Sequence, residues 1–154
     1  ILLNNRAGRS FTLAEGHPNC IAPGKRPMHT LNTYIVTKED KLWLLGNTPG
    51  GDGQVQWNLQ VLSCLIDHNY NPRQAAGAPR CQVFPGTDPA DLKKPPVLFL
   101  EEGFSRETGD SLMRRGHQVR WTAQGGGAVQ LIQVEDGLLL GGSDPRSEGL
   151  VLGL

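Results

Sequence analysis

Within residues 31–68 the spacing of apolar side chains changes from that of strands to that of a helix, and the change is abrupt. The run Leu31 to Val36, the polar turn Lys38-Glu39-Asp40-Lys41 and the run Leu42-Trp43-Leu44-Leu45 predict a β-hairpin whose second strand is apolar enough to be buried on both faces. The next eight residues, Gly46-Asn47-Thr48-Pro49-Gly50-Gly51-Asp52-Gly53, are dense in turn formers. Beyond them Val55, Leu59, Leu62 and Ile66 recur in steps of about four and three, one face of a helix over Gln54 to His68. Val61 and Leu65 widen that face. Asp52 is placed to cap the helix, where a carboxylate meets orphan N–H groups and the positive dipole end. Strand pair, glycine turn and helix in direct succession predict an α+β chain.

The rest of the chain continues in short elements, as 20 Gly and 11 Pro without a repeat period require. A strand is expected at Ile1 to Asn4. Asn71-Pro72 opens a short helix that ends at Ala78, before Pro79. The polar stretch from Pro85 to Pro96 reads as an exposed excursion. A helix fits Ser105 to Arg115, with Ser105 as cap, Thr108 and Leu112 on one face and Gly116 as stop. Strands are expected at His117–Thr122, Ala128–Glu135 and Leu138–Gly142, the last two joined by the hairpin signal Asp136-Gly137. At 154 residues a single domain, 1–154, with its own core is expected, built of sheet layers covered by helices.

Charge excludes some partners. Lys plus Arg equals Asp plus Glu at 15 each, so no global field draws in nucleic acid or an anionic membrane, and no apolar run approaches the ~20 residues of a bilayer span. Any charge-based recognition is therefore local. Cys20, Cys64 and Cys81 share no ligand spacing, and His17, Cys20 and His29 lack the paired spacing of a zinc site. No metal and no cofactor is expected. Three cysteines make no disulfide framework, which favours a reducing, cytoplasmic compartment over a periplasmic or extracellular one.

Four motifs in order say more. Pro23-Gly24-Lys25-Arg26-Pro27 leads into a strand, Thr48-Pro49-Gly50-Gly51-Asp52 opens a helix, Asn71-Pro72 precedes Ala78-Pro79-Arg80, and Gly142-Ser143-Asp144-Pro145-Arg146 lies near the end. With Leu2-Leu3-Asn4-Asn5 at the start, the set resembles the gamma-glutamyltransferase family, in the C-terminal part of its small subunit. The stretch Asn5-Arg6 to Leu31, with Gly16-His17-Pro18-Asn19, is most similar to its divergent branch of oxamate amidohydrolase-like and acylase-like members. The resemblance implies an N-terminal nucleophile hydrolase with an αββα sandwich, here lacking the N-terminal strands of the small subunit. It also implies a precursor that cleaves itself and a small-molecule amide substrate. The partners implied are the large subunit and the missing N-terminal part of the small subunit, which carries the threonine nucleophile. This fragment alone is expected to be inactive.

The same resemblance assigns roles. Gly50 and Gly51 occupy the positions whose backbone N–H groups form the family's oxyanion hole. His29 and Thr30 stand where a Ser-Ser pair contacts the substrate carboxylate, and imidazole and hydroxyl still donate. Arg6 and Arg9 stand where glutamyl-cleaving members carry Gln and Asp. The resemblance implies cleavage of a gamma-glutamyl or related acyl amide, glutathione hydrolysis being the family default, while a guanidinium repels the α-ammonium that an Asp would hold and so favours a different or more acidic acyl donor. Asp144, Arg146 and Arg80 are expected to fix backbone, not to catalyse. The competing reading is a non-catalytic fragment or scaffold subunit that binds a small anion or a partner.

Overall fold

The computed structural model describes residues 6–86 and 94–153, apart from the side chains of Ala7 and Arg9. The strand expected at Ile1 to Asn4 lies outside the described residues, as does most of the excursion expected from Pro85 to Pro96. The chain forms two compact units, Ile1–Leu31 and Asn32–Leu154.

In the first unit, helix α1 (Arg6–Ser10) is tied to the chain ahead of the second unit by the Ser10 hydroxyl, which donates to Met28 O at 2.7 Å. A parallel bridge joins Thr12 and Cys20. Lys25 of the Pro-Gly-Lys-Arg-Pro motif donates from Nζ to the Pro18 and Cys20 carbonyls, so its ammonium braces this loop.

The second unit holds two sheets. The predicted hairpin is β1 (Tyr34–Lys38) and β2 (Lys41–Asn47). Strands β6 (Gln130–Glu135) and β7 (Leu138–Ser143) extend it to an antiparallel sheet in the order β1-β2-β6-β7. Asp136 and Gly137, both at positive φ (49° and 79°), make the tight turn their sequence predicts. The smaller sheet contains β3 (Cys81–Phe84), β4 (Val97–Glu101) and β5 (Val119–Thr122) in that order. Strands β4 and β5 run parallel, joined through helix α4 (Arg106–Arg114). Ser105 caps α4 by accepting from Thr108 N, and Gly116 ends it at φ 92°.

Helix α2 (Gly53–Ile66) and helix α3 (Pro72–Gly77) cover one face of the larger sheet. Asn71 caps α3 in a full capping box with Gln74. Leu44, Val61, Leu65, Ala75, Ala76, Val129 and Leu131 form the core between them; burying each of the larger ones contributes about 1.5–3 kcal/mol.

Two details of α2 correct the sequence reading. The expected face is largely open: Val55, Leu59 and Ile66 are 69%, 68% and 54% exposed, while Gln54, Trp57, Asn58, Val61 and Leu65 are buried. The buried stripe includes two polar side chains, which apolar spacing passes over. Their amides find backbone acceptors, Gln54 at Thr48 O (2.9 Å) and Asn58 at Asn32 O (3.4 Å). Asp52 stands at the N-cap position, but its backbone is helical and its side chain makes no capping bond. The carbonyls of Gly50 and Gly51 instead receive the N–H groups of Gly53 and Gln54 at 3.1 Å each.

The strands β3 and β4, flanking the polar excursion, carry no clear alternation and were not predicted. The outer edge of β3 is closed by side chains. Gln60 both donates to Cys81 O and accepts from Cys81 N at 2.8 Å, and Gln56 does the same to Val83 at 3.2 and 2.8 Å. Two amides one helical turn apart thus stand in for a neighbouring strand.

Candidate functional site

The Thr48-Pro49-Gly50-Gly51 turn is held from several sides. Thr48, fully buried, donates its hydroxyl to Pro49 O at 3.1 Å and accepts from Ala128 N at 2.9 Å. Its carbonyl receives the Gln54 amide. Gly50 lies at φ 138°, a region reserved to glycine, and Gly51 at φ 55°. Neither the Gly50 nor the Gly51 N–H donates to another group among the described residues. Both amides sit at the head of a 14-residue helix, where the macrodipole amounts to roughly half a positive charge. The turn can therefore offer two donors to an anion.

Trp57, one turn into α2 and 4% exposed, packs beneath this turn and against Gly126 and Gly127. It also walls a cavity of about 360 Å³ shared with Arg80, Cys81, Phe84 and Phe99. Burial, with a smaller push from the Glu101 charge, raises the Cys81 thiol above its ordinary value.

In the first unit two residues expected to bind substrate meet: Arg6 Nη1 donates to Thr30 Oγ1 at 2.8 Å. His29 is exposed, and its Nδ1 accepts from Leu31 N at 3.1 Å. A neutral ring thus carries its proton on Nε2, as a donor. Arg9 falls in α1, and its side chain lies outside the described residues. Among the described residues no three His, Cys, Asp or Glu side chains come together to hold a metal, and no helix is long and apolar enough to cross a membrane.

The Ser-Asp-Pro-Arg and Ala-Pro-Arg motifs converge on one buried charge network, and it joins the two sheets. Asp144, 1% exposed, accepts on Oδ2 from Arg80 Nη2 (2.5 Å) and Val129 N (2.9 Å). Its Oδ1 accepts from Arg146 N (2.9 Å) and Nη1 (3.0 Å). Arg146 continues to Glu101 at the end of β4, donating from Nε at 2.6 Å and from Nη2, and to the carbonyls of Ala76 and Ala78. Glu101 also accepts from Arg80 N (2.8 Å) and Gly125 N (2.6 Å). Burial pushes the Glu101 carboxyl up, but the bonds from Arg146, Arg80 N and Gly125 N outweigh it and hold it below its ordinary value. Asp144 is likewise raised by burial and lowered further by Val129 N, Arg146 N and Arg80. These groups fix backbone, as expected from sequence.

Thr48, Gln54 and Trp57 were not singled out as site residues by sequence. The available signal was a buried-spaced Trp one turn after Pro-Gly-Gly, together with the triplet Gly125-Gly126-Gly127.

This mixed α+β fold with two sheets is that of part of an N-terminal nucleophile hydrolase, as its solved structural neighbours among gamma-glutamyltranspeptidases and acylases show. The family model described as gamma-glutamyltranspeptidase matches residues 1–154, and the chain belongs to that family. It is 35% identical over 158 residues to the glutathione hydrolase-like YwrD proenzyme of Bacillus subtilis, covering 100% of this chain and 29% of that protein. It is 31% identical over 159 residues to the oxamate amidohydrolase proenzyme of Klebsiella pneumoniae, covering 99% and 29%. The crystal structure of cephalosporin acylase from Bacillus halodurans superposes with a TM-score of 0.81 at 33% identity, over 95% of this chain and 26% of that one. The chain thus spans less than a third of the length of these curated relatives.

Proposed function

We propose that this chain is the oxyanion-binding and substrate-binding part of a threonine-nucleophile amidohydrolase or acyltransferase. A threonine hydroxyl, supplied from outside this chain, attacks the amide carbonyl carbon. The electron pair displaced onto oxygen is received by the N–H groups of Gly50 and Gly51. Collapse expels the amine, which takes up the proton that the hydroxyl gave to the threonine's own α-amino group; the acyl group then passes from the threonine oxygen to water or to another amine, whose proton restores the hydroxyl. The observation that carries this reading is a pair of amides, unengaged among the described residues, in an anchored glycine turn ahead of α2.

Arg6, Arg9, His29 and Thr30 form the substrate-binding set. The Arg6–Thr30 bond supports one polar subsite, and its charge suits an anionic acyl donor better than an α-ammonium.

The partners are a large subunit and a preceding part of the small subunit. The outer face of the larger sheet, on which Val151 packs at Gly141 while other apolar residues stay exposed, supports this. In register across it stand Ile35, Leu45 and Ile132, with Leu139 two positions along; Ile35, Ile132 and Leu139 are 64%, 46% and 71% exposed. An apolar sheet face of this kind is what a second sheet covers.

The test is to express the complete precursor and sequence the N-terminus of its processed small subunit. Threonine at that terminus is expected, with oxamate or a glutaryl amide cleaved in preference to a gamma-glutamyl anilide. A precursor that stays uncleaved and has no Thr, Ser or Cys at the junction refutes the reading. Brisk use of the glutamyl compound refutes the charge argument alone.

A further inference from the structure

A turn containing Gly50, Gly51 and Gly53 has little side chain of its own to hold it, yet donors stabilise an oxyanion only if they are fixed before the charge develops. The Trp57 indole supplies a rigid surface at that place. A Cβ at Gly50 would stand 2.8 Å from Cη2, at Gly53 2.8 Å from Cε2, at Gly126 2.9 Å from Cε2 and at Gly127 3.0 Å from Cε3. Four glycine backbones therefore close on one ring: Gly50 of the turn, Gly53 at the start of α2, and two from the loop between β5 and β6. The ring makes no polar bond in return, since its Nε1 is buried without a partner among the described residues. The indole therefore contributes through shape.

We infer that Trp57 is a positioning residue for the oxyanion hole: its six-membered ring seats the Gly50 backbone and so sets the direction of the Gly50 and Gly51 N–H groups. The inference rests on the oxyanion reading of those two amides. Trp57 itself takes no part in bond making.

The test uses the complete, processed enzyme with Trp57→Phe and, separately, Gly126→Ala. Phenylalanine keeps the core largely filled but lacks the outer ring edge that Gly50 touches. A methyl at Gly126 would overlap the same six-membered ring and force it to shift. For each, kcat and KM on the preferred amide are measured with two inhibitors. One is a boronic acid that becomes tetrahedral on the threonine hydroxyl; the other is the planar carboxylate of the same shape.

Expected for both variants is a fall in kcat and in boronate affinity of about 10²-fold, with KM and carboxylate affinity within about two-fold. Either variant that folds and keeps wild-type kcat and boronate affinity overturns the inference, even if its melting temperature drops, since packing alone would produce that pattern. A wild-type enzyme with no preference for the boronate over the carboxylate counts against the oxyanion reading itself. A preference that survives in Trp57→Phe counts against the role of Trp57 only.

Discussion

Replacing Asp144 by Asn should destabilise the protein by about 3–5 kcal/mol, the usual cost of breaking a buried ion pair from one side. The carboxylate receives four donors, two on each oxygen. An amide has one oxygen, so in either orientation two of the four face an NH₂ group. Arg80, 1% exposed, is left with its charge uncompensated. Each stranded donor costs about 1–3 kcal/mol by itself, but these losses overlap with that of the pair and do not sum. Urea denaturation of the complete protein, followed by far-UV circular dichroism, measures the change. A second substitution sharpens the test: Arg80→Met removes the stranded cation, so the double variant should lose less than the sum of the two single losses. A loss below about 1 kcal/mol for Asp144→Asn, or strict additivity with Arg80→Met, would refute the account of a coupled buried network.

Acid should act on the same network. Glu101 and Asp144 titrate lower in the folded chain than their ordinary values, so the unfolded chain binds protons first. Their contribution is present at neutral pH and is lost as pH falls below about 4 toward the folded values; a stability profile against pH should steepen there, and Asp144→Asn should flatten it. The two turn glycines should respond unequally. Gly50→Ala meets both the Trp57 ring and a backbone at φ 138°, whereas a methyl at Gly51 meets open space at φ 55°. Amide turnover should therefore fall about 10²–10³-fold for Gly50→Ala and much less for Gly51→Ala; equal losses would argue against the geometry of the turn.

The parts of this fold that sequence reveals are those governed by local chemistry. Asn71-Pro72 with Gln74, Ser105 with Thr108, and Asp136-Gly137 each satisfy backbone groups within a few residues, and each stands where its chemistry predicts. The rotation of α2 was not legible. Val55, Leu59 and Ile66 repeat as regularly as Trp57, Val61 and Leu65, and the choice between the two stripes depends on where Gln54 and Asn58 find acceptors 6 and 26 residues away. Strand β3 escaped for a related reason, since one of its edges is paired by glutamine side chains; β4 escaped because its run carries no alternation. Of the site, the Pro-Gly-Gly turn was visible through the family's motif. Its supports at Thr48, Gln54 and Trp57 depend on tertiary contact.

The glutamine clamp on β3 bears on how that turn is aimed. Gln56 and Gln60 are separated by about 6 Å of helix rise, and the strand positions they grip, Cys81 and Val83, by about 6.8 Å. The near match makes helix and strand behave like a toothed rack and its gear. A slip of one residue would swing both amides by about 100° and disengage them together. The small sheet thereby indexes the angular phase of α2, the helix that the two turn glycines lead into.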